Sequence, residues 1–163
     1  MTDRPRLVPL LAAAALATPW PAAAVPANRS LALETALADR SGPEAAAITL
    51  AAGCWLEGQV EAVARLTLGA APAPAGRGAT GAATPEAGLR WAPDEGRWRP
   101  TLALALGVRL PVAGRATAAT ALLQGGLEWL VEPGWALAAT AGLRWLAGEG
   151  AAGEAALGLR LYF

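Results

Sequence analysis

The sequence contains no histidine and no lysine, a single cysteine (Cys54) and two serines (Ser30 and Ser41). Without histidine, a Ser–His hydrolase or acyltransferase is excluded on composition. A metal site would need several Asp or Glu side chains converging at ligand spacing, and no such spacing is present. The reading is therefore of a non-enzyme that needs no cofactor. One cysteine forbids an intrachain disulfide; Cys54 falls on the apolar face of a strand and is read as a small hydrophobe. Charge of one sign is also lacking, with 13 arginines against 13 acidic residues. A scattered, balanced set is a poor nucleic-acid binder, because backbone binding needs a concentrated positive field. Missing too is any apolar run of the roughly 18 residues that a membrane helix requires. Yet 55% of the residues are hydrophobic and the mean hydropathy is +0.36, so the apolar residues must be distributed through shorter elements.

Residues 1–27 have the form of a cleavable signal peptide. Arg4 and Arg6 supply the positive start, and Leu7 to Thr18 form a short apolar core interrupted by Pro9. Pro19 and Pro21 end it, and small residues between 22 and 28 offer cleavage sites. The mature chain is then residues 28–163, one domain.

From residue 29 onward the dominant period is two, that of β-strands. Eight alternating runs are predicted: Leu31–Ala38, Ile48–Leu56, Val60–Leu68, Gly88–Ala92, Arg97–Leu110, Thr117–Trp129, Trp135–Trp145 and Glu154–Phe163. Turn residues separate them, tight at Glu57-Gly58, Pro93 to Gly96 and Glu132 to Gly134. Ala71 to Ala87, rich in Pro, Gly, Ala and Thr, reads as a long loop, and Ala147 to Gly153 as a Gly-rich one.

One face of each run carries Leu, Val and Trp; the other carries Ala, Gly, Thr and a few charges. That second face is too sparsely charged to meet water, where roughly a quarter to a third of residues are usually charged. It suits the inside of a narrow barrel, with the aliphatic face toward lipid. The expectation is an all-β, eight-stranded antiparallel up-and-down transmembrane β-barrel. Eleven charges fall on the inward parity: Glu34, Glu61, Arg65, Arg90, Arg97, Arg99, Arg109, Glu128, Arg144, Glu154 and Arg160. They form a predicted interior network, with Glu34 and Arg160 on strands that meet at closure and Glu128 near Arg97 and Arg99. Trp91, Trp98, Trp129, Trp135 and Phe163 cluster outward at one end and Trp145 at the other, as an interfacial girdle requires. Trp55 has inward parity at the first end, and a bulge there would turn it outward.

The ending Leu157-Gly158-Leu159-Arg160-Leu161-Tyr162-Phe163 resembles the terminal strand signal of bacterial outer-membrane proteins. Length and strand count are similar to the small eight-stranded barrels of the OmpA transmembrane domain and OmpX type. The resemblance implies residence in the outer membrane, contact with its lipid, and reading of Leu157, Leu159, Leu161 and Phe163 by the barrel-assembly machinery. The functional expectation is a structural or surface-interaction barrel. A narrow pore for water or small solutes is a second reading, and a soluble periplasmic barrel binding an apolar ligand a third.

Overall fold

A computed structural model of the chain describes residues 28–38, 46–71, 80–93, 96–111 and 117–163. The predicted signal peptide lies outside the described residues. Eight strands follow one another: β1 (Arg29–Ala38), β2 (Ala46–Glu57), β3 (Val60–Ala71), β4 (Thr80–Trp91), β5 (Trp98–Pro111), β6 (Ala118–Glu132), β7 (Trp135–Leu146) and β8 (Gly150–Tyr162). Each pairs with the next, and β8 closes on β1, so the sheet is a closed barrel. Every ladder is antiparallel. Closure removes the unpaired edges that an open sheet would expose.

One end, here the near end, carries the start of β1, the end of β8 and the connections 58–59, 92–97 and 133–134. Gly58 and Gly134 take positive φ (53° and 107°) in the two tightest of these turns, a conformation open to glycine without steric cost.

The long loop predicted from Ala71 to Ala87 is largely strand. Residues 80–87 belong to β4, whose pairs with β3 run from Ala71↔Thr80 to Val60↔Trp91. Pro85 lies inside this strand, and on the β5 side the pairs resume at Glu86↔Gly107 after Ala83↔Leu110. Proline cannot donate to the ladder, which accounts for that gap and for the loop-like sequence. The predicted Ala147–Gly153 loop also contracts. Gly148 and Gly150 adopt positive φ (86° and 96°), the turn closes in residues 147–149, and strand resumes at Gly150.

Inward glycines let the strands and the charged side chains crowd together. A Cβ at Gly53 would lie 2.0 Å from Glu61 Oε1, and one at Gly158 would lie 2.7 Å from Glu34 Cγ.

Candidate functional site, the charged lumen

The barrel is inverted relative to a water-soluble one. Leu104, Leu106 and Trp98 on the outer face are 57%, 64% and 61% exposed, whereas Glu61 and Glu128 in the lumen are 0% and 1% exposed. Strand alternation positions both sets: Arg99, Thr101, Ala103, Ala105, Gly107 and Arg109 of β5 share the inward parity between the outward Trp98, Leu102, Leu104, Leu106 and Val108.

At the near half of the lumen, Glu61, Arg90, Glu128 and Arg160 form a four-charge cluster. Arg90 Nη1 donates to Glu61 Oε2 at 2.7 Å, and Arg90 also pairs with Glu128. Arg160 reaches Glu128 Oε1 at 3.0 Å and Glu61 Oε2 at 3.5 Å. Ser30 donates its hydroxyl to Glu61 and accepts from Arg160 Nη1 at 2.8 Å. Tyr162 donates to Glu128 Oε2 at 2.5 Å. Each carboxylate thus has several donors, which a charge removed from water requires.

Arg65 connects this cluster to the far half. Its Nη2 lies 3.4 Å from Glu34 Oε2 and its Nε 3.9 Å from Glu86 Oε2, while Nη1 donates to Gln124 Oε1 at 2.5 Å. Arg160 Nη2 approaches Glu34 Oε1 at 3.7 Å across the closing β1–β8 seam. Farther along, Arg144 Nη2 is 3.1 Å from Glu86 Oε2 and 3.4 Å from Glu154 Oε2. A continuous path of ion pairs therefore runs Arg90–Glu61–Arg160–Glu34–Arg65–Glu86–Arg144–Glu154. Arg109 makes a separate pair with Glu149 at 3.3 Å.

Of the predicted interior charges, Arg97 is exposed at the rim, one residue before β5 begins. Its carbonyl still accepts from the Leu130 amide at 2.8 Å, but at the rim the inward parity no longer encloses its side chain. Arg99, opposite Glu128 in the register, holds its guanidinium 5.9 Å from the Tyr162 ring centroid, while the ion pairs of Glu128 come from Arg90 and Arg160. Glu86 and Glu149 join the ion pairs as well, although the sequence pattern assigns Glu86 to a loop and Glu149 to a Gly-rich turn. Strict alternation back from Trp91 and Leu89 was the signal that would have found Glu86.

A cavity of about 20 Å³ lies among Glu34, Arg65, Arg90, Gln124, Glu128 and Arg160, room for roughly one water. Val63 lines it, and Leu122, Thr67 and Thr84 are also buried in the barrel. Among the described residues, no group of three or more Cys, Asp or Glu is placed to hold a metal ion.

Outside, Trp91, Trp98 and Trp129 are exposed at the near end. Trp98 and Trp129 stack at 5.8 Å, Trp135 is half-buried, and Trp145 is exposed on the far half of β7. Leu157 is exposed; Leu159, Leu161 and Phe163 are half-buried. Trp55 keeps the inward parity, opposite Glu61. The bulge is present, but it falls after Trp55, between it and Glu57, and so does not turn the indole outward. Cys54 is exposed on the outer face.

No protein-family model matches the chain, and no curated protein matches it by sequence. Solved structures do match by fold. Neisserial surface protein A is similar over 83% of this chain and 94% of its own, at 16% identity and a TM-score of 0.63. The N-terminal β-barrel domain of Pseudomonas aeruginosa OprF follows at 15% identity and 0.60, covering 83% of this chain and 96% of that one. Ail, the attachment invasion locus protein of Yersinia pestis, is similar at 12% identity and 0.56, over 83% and 99%. The fold is that of the small eight-stranded outer-membrane barrels.

Proposed function

We propose that the chain is an integral outer-membrane barrel with a structural or surface-interaction role and no enzymatic activity, exported through the segment 1–27. The observation that carries this reading is the exposed aliphatic and indole outer face around a lumen filled with ion pairs. In water such a surface would far exceed the apolar patches that soluble monomers tolerate. In a bilayer it is solvated by acyl chains, and closure of the sheet removes the open edge whose unpaired backbone groups hydrocarbon would penalise. The outer-membrane setting is supported by the shared fold. Recognition of the last strand through Leu157, Leu159, Leu161 and Phe163 by the barrel-assembly machinery belongs to the same proposal.

Membrane fractionation with heat-modifiable gel migration tests it. The protein should sediment with outer membranes and migrate faster unboiled than boiled. A soluble protein with no mobility shift would overturn the reading and favour a periplasmic apolar-ligand barrel. A narrow pore draws support from the unbroken polar path along the axis. Against it stand the four-charge cluster and the water-sized cavity, so planar bilayers at high protein load should stay sealed; steady unitary conductance would establish the pore instead.

A further inference from the structure

The described arginines sort into two groups. Arg65, Arg90, Arg109, Arg144 and Arg160 are held by lumen or far-end carboxylates, and Arg99 by the Tyr162 ring. Arg29 and Arg97 are exposed instead. Arg97 sits at the rim just before β5, whereas Arg29 lies on the outward parity of β1, and no side-chain carboxylate among the described residues is ion-paired with it. Its backbone exchanges both hydrogen bonds with Phe163 (3.1 Å each), and its cross-strand partner on β2 is Cys54. Arg29 thus projects from the outer surface at the near end, in a row with Phe163 and Cys54.

The surface beside it is lined by small side chains. The register places Cys54 opposite Ala62, and one row farther from the near end it aligns Ala52, Ala64 and Ala87 across β2, β3 and β4. Ala52, Ala64 and Ala87 are exposed. Leu50 and Leu66, both exposed and paired with each other, bound this track on the far side. A row of small side chains between leucines leaves a shallow channel on an otherwise bulky face.

We infer that Arg29 and this track bind one phospholipid of the near-end leaflet, the guanidinium holding the headgroup phosphate and an acyl chain lying over Ala52, Ala64 and Ala87. The inference rests on the membrane reading above. An arginine at the margin of an apolar band turns its head toward the interface, where phosphate offers it a bidentate acceptor. The charge supplies the complementarity, and the small residues supply the space. A net negative headgroup such as phosphatidylglycerol should be preferred over zwitterionic phosphatidylcholine.

The full-length mature protein, inserted into mixed phosphatidylcholine–phosphatidylglycerol vesicles and extracted in mild detergent, can be analysed by native mass spectrometry. Wild type should retain one phosphatidylglycerol. Arg29→Gln should lower that retention several-fold, and Ala64→Leu should lower it without any change in charge. Arg97→Gln, at an exposed arginine away from the track, should leave it unchanged. Each variant is first checked for the heat-dependent gel shift that reports insertion. Wild type lacking that shift would defeat the membrane reading and this inference with it. Inserted variants that all retain phosphatidylglycerol equally, or an equal loss in Arg97→Gln, would overturn the lipid site alone.

Discussion

The lumen and the outer face are built from the same eight strands, residue by alternate residue, yet they obey opposite rules. On β5 the outward Leu102, Leu104 and Leu106 are more than half exposed, while inward Thr101, Ala105 and Arg109 are buried. Outside, side chains need only be apolar and of suitable bulk, because acyl chains adapt to them. Inside, each charge must meet a partner at a fixed distance, because nothing else solvates it. Tolerance to substitution should therefore differ sharply between the two.

The largest expected effect is in the lumen. Glu61→Ala removes an acceptor shared by Ser30, Arg90 and Arg160. Leaving those buried cations short of a partner should cost about 3–5 kcal/mol in urea unfolding from lipid vesicles. Loss of less than about 1 kcal/mol would mean that water already solvates the cluster, as expected of exposed pairs.

A charge on the outer face should act by depth. Leu104→Arg, in the middle of β5, should destabilise by about 2–4 kcal/mol in the same assay, and Leu110→Arg, near the strand end, by about 0–1 kcal/mol. Equal penalties at the two positions would break the comparison, since a water-exposed face has no depth.

Glycines at the lumen wall come next. Gly107→Ala places a Cβ 2.2 Å from the Pro85 carbonyl oxygen, whereas Gly53→Ala meets only the flexible side chain of Glu61. Overpacking against backbone should cost about 1–3 kcal/mol at Gly107. Gly53→Ala should cost less, and its effect should shrink in a Glu61→Ala background, where the side-chain atoms it meets are absent. The smallest effect belongs to the outer aromatics: a double-mutant cycle on Trp98 and Trp129 should give a coupling of about 0.5–1.5 kcal/mol.

The same contrast explains what could be read in advance. Outer and inner faces follow from a period of two, so seven of the strands and the inversion of the barrel were visible as pattern in runs such as Trp98 to Leu110. β4 is short in the sequence pattern because its outer positions are Gly81, Ala83, Pro85 and Ala87, which carry almost no hydrophobic contrast. Glu86 disappeared into the supposed loop with them. Parity assigns charges to the lumen but not at the rim, where Arg97 is exposed, and a bulge has to be placed to the residue before it can re-aim Trp55. The pairing itself was beyond reach. Arg65 meets Glu34 and Gln124 across the lumen, on strands separated by 31 and 59 residues in sequence. Only closure and shear bring such residues together.

Orientation can be read at two adjacent residues of one strand. Leu104→Cys and Ala105→Cys, each in a Cys54→Ala background and labelled with a small fluorophore, are inserted into vesicles containing lipids brominated on the acyl chains. Strong quenching at position 104 and little at position 105 is the predicted result. Quenching at 105 with 104 protected would place the aliphatic rows inside and contradict the account.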